Sequence, residues 1–280
     1  MRSGFFAIIY IMNIIAIIAA TSILQMATEF IDERLSKANP TNSLGRFVGY
    51  PIGAQKDRFS FNPKFWAKGV DFSCVSPWND TSGKLKAGTA ISRRHIVFAS
   101  HFSLQEGDRM TFIGEDGEVC PVGIKETKAI RKTDISIGLL DYELTPNIKP
   151  AKILPADYPR HIGTGKGLPV VTFNQDQQAF ITELDALSTN INSQCSYLGN
   201  SHAPNDGRWS LFRKKIVVGD SGNPAFLLIG NEPILLYCLK FGGCGAGPLI
   251  HDFRKDIQAA MDELCPGYKL ECFDFSKVVN

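Results

Sequence analysis

The chain carries no internal repeat, no low-complexity tract and no C-x-x-C or H-E-x-x-H spacing. The missing repeat removes the stacked-repeat architectures, and the missing spacings remove the usual metal-site signatures. Neither a metal nor a cofactor is expected. Charge of one sign is also scarce in surplus: 30 basic against 28 acidic residues leave a net +2 over 280 residues. That balance argues against electrostatic binding of nucleic acid. With 44% hydrophobic residues the chain can build one large domain or two small ones.

One long apolar run does exist, at the N-terminus. After Arg2, residues Phe5 to Ala20 are apolar apart from Asn13 and the hydroxyl of Tyr10, and the small residues Ala19, Ala20, Thr21 and Ser22 follow. A basic start, an apolar stretch and small residues read as a secretory signal peptide cleaved after Ser22 or Ala27. Extended to Ala27, the run reaches roughly 23 residues, enough for a membrane-spanning signal-anchor. Either reading of residues 1–27 exports the rest, to a secreted, periplasmic or extracellular location. Contact with a membrane is expected only if the segment stays uncleaved. Of the seven cysteines (Cys74, Cys120, Cys195, Cys238, Cys244, Cys265 and Cys272), some should be paired in an exported chain, with at least one left over. Cys265 and Cys272, which bracket Pro266-Gly267, are the best local pair.

Residues 28–65 are polar and turn-rich and read as a linker or pro-segment lying over the surface. From 66 to 145, short apolar runs alternate with turn signals: Phe72–Val75, Ala87–Ile91, Ile96–Ala99, Met110–Ile113, Val119–Ile124 and Ile135–Leu140. Residues 146–169 hold five prolines and three glycines, as befits a connection. Between 170 and 265 a second set follows: Val170–Phe173, Ala179–Leu184, Trp209–Phe212, Pro224–Ile229, Ile234–Lys240 and Pro248–Ile250. Six and six suggest two small antiparallel barrels, with a single β-sandwich as the alternative. Ile250, Phe253, Ile257, Ala260, Met261 and Leu264 recur at intervals of mostly three and four, which predicts a terminal helix with one apolar face. Residues 266–280 form a tail.

Three stretches carry chemistry. Ile96-Val97-Phe98-Ala99-Ser100-His101 ends an apolar strand in a histidine. Thr133-Asp134-Ile135-Ser136-Ile137 opens one with an aspartate. Gly219-Asp220-Ser221-Gly222-Asn223-Pro224 sets a serine between glycines. A serine hydroxyl becomes a nucleophile when a base takes its proton and backbone N–H groups hold the oxyanion. In this order the three resemble the chymotrypsin/trypsin-like serine proteases, over roughly residues 66 to 265. The resemblance implies an all-β fold of two antiparallel six-stranded β-barrels with the active site between them, plus a C-terminal α-helix packed on the second barrel. It implies peptide-bond hydrolysis of protein or peptide substrates by His101, Asp134 and Ser221. Gly219 and Ser221 would form the oxyanion hole, and Lys215, Phe241 and Gly242 would contact substrate. Lys215 would favour acidic side chains there.

Several positions depart from the family pattern. Phe102 and Val217 stand where many relatives have cysteines, and the triad spacings are tighter than usual. Lys240 falls where a serine usually touches the catalytic aspartate. A lysine pairing with Asp134 would leave an inactive homologue that binds protein segments in the cleft. The family's buried carboxylate, here Asp220, calls for a positive partner. Arg46-Phe47-Val48-Gly49 resembles the family's activation site, whose cleavage would release an ammonium to pair with it; Arg213 and Lys214 are the competing partners.

Overall fold

The computed structural model describes residues 23–48, 60–76, 78–79, 86–187, 198–202, 207–242 and 245–278. The apolar N-terminal run, the turn at 80–83, Gly49, Gly243, Cys195 and Cys244 lie outside them. The chain is mostly β, in two sheets with a C-terminal helix.

The first sheet comprises β1 (Trp78–Asn79), β2 (Thr89–Ala90), β3 (His95–Ala99), β4 (Arg109–Ile113), β5 (Val119–Ala129) and β6 (Ile135–Leu140), in the order β1-β4-β5-β6-β3-β2. β3 and β6 are buried along their whole length. Their β-branched and aromatic side chains suit a strand covered on both faces. They pair antiparallel with Ala99 opposite Ile135. The end of β3 therefore meets the start of β6. Val75 bridges Thr89 of β2, just before β1 pairs with β4, so one segment links both edges of this sheet.

A short β7 (Lys152–Ile153) and a one-turn helix α2 (Tyr158–Ile162) lead into the second sheet. Its other strands are β8 (Pro169–Phe173), β9 (Ala179–Leu187), β10 (Leu198–His202), β11 (Pro224–Ile229), β12 (Glu232–Cys238) and β13 (Ala246–Pro248). The order is β13-β10-β9-β8-β11-β12-β7, antiparallel except for β12 with β7. Tyr237 of β12 bridges Leu249, just past β13, which draws the far ends of the sheet together. The sheets share one core, in which the rings of Phe72, Phe173 and Phe226 meet with centroids 4.9–6.2 Å apart.

Four sequence expectations need correction. Neither Trp209–Phe212 nor Phe72–Val75 is a strand: α3 spans Gly207–Leu211, and Phe72–Val75 is a turn with one isolated bridge, at Val75. Trp209 and Phe212 are buried while Leu211 is 63% exposed, a helical spacing of three rather than the strand spacing of two. The terminal helix α4 (Arg254–Leu264), preceded by a 3-10 turn at Ile250–Phe253, buries Ile257, Ala260 and Met261 as expected. It packs against β5 and β6 of the first sheet, however, not on the second. Cys265 and Cys272 are not bonded, nor are Cys74, Cys120 and Cys238. Cys265 caps α4, while Cys272 is drawn away beside Ile153 by a parallel bridge.

The fourth correction concerns the N-terminal region. Residues 23–36 form α1, whose Ile23, Ala27, Ile31 and Leu35 are buried at a spacing of four, on one face. Arg34 donates to the Lys68 carbonyl and to Asn231 Oδ1, and Trp209 Nε1–H donates to Asp32. A strap follows. The Leu44 carbonyl accepts from Ala179 N–H, Gly45 bridges Gln178, and Arg46 N–H donates to the Gln177 carbonyl.

Arg46 is 1% exposed. Its guanidinium lies over the rings of Phe47 and Phe61, pairs with Glu115 at 3.0 Å and donates to the Ile113 carbonyl at 3.3 Å. A processing protease needs its target residue exposed, and Arg46 here is buried; the cleavage-site reading loses its basis. Arg46 instead ties the strap to the β4–β5 hairpin. Arg46→Met, which keeps the stem's packing but leaves Glu115 unpaired, is expected to cost about 1.5–3 kcal/mol. Urea unfolding should show a lower midpoint at an unchanged m-value.

Candidate active site

The β3–β6 register builds half of the site. His101 sits on a single 3-10 turn, Ser100–Phe102, directly after β3. Ser100 N–H donates to the Asp134 carbonyl, and the Ser100 and Ser136 hydroxyls lie 2.8 Å apart, fastening this turn to the head of β6. Asp134, 7% exposed, uses both carboxylate oxygens on His101: Oδ1 accepts the main-chain N–H at 2.9 Å and Oδ2 faces Nδ1 at 2.6 Å. A carboxylate can only accept. Nδ1 therefore carries the proton, and Nε2 presents its lone pair.

The second sheet supplies what that lone pair meets. His101 Nε2 lies 2.8 Å from Ser221 Oγ, so the hydroxyl donates to the imidazole. Ser221 belongs to the turn that enters β11. Gly222 N–H donates to the Leu239 carbonyl and Leu239 N–H to the Asn223 carbonyl, anchoring the turn on the strand end after β12. Gly222 has φ +84°, and a Cβ there would come within 3.3 Å of the Ala87 carbonyl of the other half. Glycine thus permits both the backbone shape and the approach of the two halves.

The loop before the serine is held from within. Gly219 has φ +104°. Among the described residues, neither Gly219 N–H nor Ser221 N–H meets an acceptor. The Asp220 carboxylate, 1% exposed, accepts from Val217 N–H at 2.7 Å and Gln175 N–H at 3.0 Å. Burial pushes its carboxyl above the ordinary range, and those two N–H groups pull it back. Neither Arg213 nor Lys214 pairs with it. The expected cation is replaced by main-chain donors.

Lys215, Phe241 and Gly242, expected to contact substrate, all line one open cleft of about 590 Å³ that His101 and Ser221 also border. Val217, Val218 and Lys240 line it too, and Val218 is 99% exposed at its rim. Lys240 does not pair with Asp134; its ammonium lies over the Phe241 ring, 5.2 Å from the centroid. The group near Asp134 is Cys238, whose thiol is pushed up to about 12 by burial, with a contribution from the Asp134 charge. Three other histidines serve packing: His95 meets the Ser92 hydroxyl, His251 Nδ1 the Leu154 carbonyl, and His161 stacks on Phe275. Among the described residues no group of His, Cys, Asp or Glu could hold a metal.

Gln175 is the residue that sequence reading missed. Nothing in Asn174-Gln175-Asp176-Gln177-Gln178 marks it beyond a polar turn between two strands, and its partners lie about 45 residues away. No family model matches the chain, and no curated protein matches it in sequence, so what can be said of its chemistry comes from the site itself.

Proposed function

We propose that this chain is an exported serine endopeptidase that hydrolyses peptide bonds through an acyl-enzyme, on a trypsin-like pair of antiparallel β-barrels. The observation that carries the reading is the unbroken line Asp134–His101–Ser221, with contacts of 2.6 and 2.8 Å, assembled from two sheets. The bridges Val75–Thr89 and Tyr237–Leu249, which bring the edges of each sheet toward closure, support the barrel architecture.

The chemistry follows from the hydrogen bonds. Ser221 Oγ attacks the scissile carbonyl carbon as its proton passes to His101 Nε2. The carbonyl electron pair moves onto oxygen, which the N–H groups of Gly219 and Ser221 receive. Asp134 stabilises the imidazolium. Collapse returns that pair, breaks the C–N bond and transfers the proton from Nε2 to the leaving amine. Water, deprotonated by His101, then cleaves the acyl ester. No cofactor enters. Phe241 and Gly242 offer the strand edge for the substrate main chain. Lys215, with Lys240 in the same cleft, favours substrates with Asp or Glu side chains.

A fluorophosphonate probe tests the reading on the purified full chain. Stoichiometric labelling at Ser221 is expected; folded protein that remains unlabelled would overturn it. Profiling with a peptide library tests specificity. Acidic side chains should be preferred, Lys215→Glu should erase the preference, and a preference for Lys or Arg would reject the charge pairing. Gly219→Ala is expected to slow labelling by roughly 10²–10³-fold, the cost of a lost oxyanion donor. An alanine at φ +104° is strained, and its Cβ would meet the Gln175 amide at 2.6 Å.

A further inference from the structure

We propose that Gln175 is a positioning residue that holds the oxyanion loop in working shape without proteolytic processing, an inference whose catalytic consequence rests on the hydrolase reading above. Three consecutive loop residues touch it. Its side-chain amide donates to the Val218 carbonyl at 3.2 Å. The same amide lies flat against Gly219, its atoms 2.6–2.9 Å from where a Cβ would stand. Its main-chain N–H donates to Asp220 Oδ1 at 3.0 Å. A buried carboxylate without a partner is costly, and Gln175 supplies a main-chain donor to Asp220 beside that of Val217.

Gln175 is itself fixed. Asn174 Oδ1 accepts from the N–H groups of Asp176 and Gln178, and Asn174 Nδ2 donates to Gln178 Oε1. Gln177 adopts φ +55°, which closes the turn. The strap then pins the far side of the turn through Arg46 N–H on the Gln177 carbonyl and the Gly45–Gln178 bridge. A continuous set of hydrogen bonds thus runs from the N-terminal strap, through one hairpin turn, to the residues flanking Ser221. The loop is already braced in the uncut chain.

The test compares wild type with Gln175→Ala and Gln175→Met, the second keeping the volume and losing the donor. Hydrogen exchange of the Val217 and Asp220 amides, which are hydrogen-bonded within the loop, is the primary readout. Both variants should exchange faster there while their melting temperatures stay within a degree or so of wild type. Fluorophosphonate labelling and kcat should fall roughly three- to tenfold, the worth of one hydrogen bond, with KM unchanged. Unchanged exchange of this loop in both variants overturns the proposal. If wild type takes no label, the hydrolase reading fails, yet the exchange comparison still decides whether Gln175 braces the loop.

Discussion

Replacing Ser221 by alanine is expected to lower peptide hydrolysis by on the order of 10⁶-fold, and His101→Ala should cost nearly as much. The two act on one proton. Ser221 Oγ donates to His101 Nε2 across 2.8 Å, and neither group has chemistry to offer once the other is gone. The double variant should therefore be no slower than either single one. Steady-state rates on an activated ester and on a peptide would measure this, with correct folding checked by unfolding midpoints. Ser221 is half-buried and His101 is exposed, so neither truncation opens a core cavity. Additive losses, with the double variant lower by the product of the two, would mean that serine and histidine work separately and would sink the relay.

The second large effect belongs to Asp134. Asp134→Asn keeps size and burial but replaces one accepting oxygen by a donating NH₂. Both oxygens are now occupied as acceptors, one by His101 N–H and one by Nδ1–H. If the amide keeps its oxygen on the main-chain N–H, its NH₂ faces Nδ1 and forces the proton to Nε2. The lone pair that should receive the Ser221 proton then vanishes. The expected loss in kcat is about 10⁴-fold, the size of the same change in the family that the motifs resemble. KM should change little, because Asp134 lies behind the imidazole, away from the cleft. A loss below tenfold would show that His101 keeps its orientation without Asp134.

The three side chains that the structure brings together were legible because each sits where a local pattern ends: a histidine after an apolar strand, an aspartate before one, a serine between glycines. Strand ends are set by short-range sequence, and antiparallel register then delivers Ala99 beside Ile135 and so His101 beside Asp134. What stayed hidden depends on distant partners. Arg46 looks like a cleavage site because Glu115, which neutralises it, lies far along the chain in a hairpin turn. Asp220 reads in the sequence as demanding a cation because main-chain N–H groups leave no trace there. Lys240 looks able to disable Asp134, since side-chain direction at the end of a strand cannot be read from its neighbours. The apolar stripe of α1 was obscured by the polar residues between Ile23, Ala27, Ile31 and Leu35, and by the apolar run before it. Trp209–Phe212 illustrates the remaining ambiguity, four residues being too few to separate a period of two from one of three.

The termini dock crosswise. α1 and the strap, first in sequence, reach the second sheet at Asn231, Trp209 and Gln177, while α4, last in sequence, closes over β5 and β6 of the first. During synthesis on a ribosome neither half can finish its surface early. The first sheet waits for residues 254–264, and the earliest helix waits for a partner more than a hundred residues downstream. Contacts so distant in sequence slow folding. They also act as a double clasp afterwards: a nick in the 146–168 connection would leave two fragments still gripped at both ends, whereas either half expressed alone would expose the apolar face its clasp should cover. An intact Ser221–His101 pairing is thereby conditional on the presence of both halves.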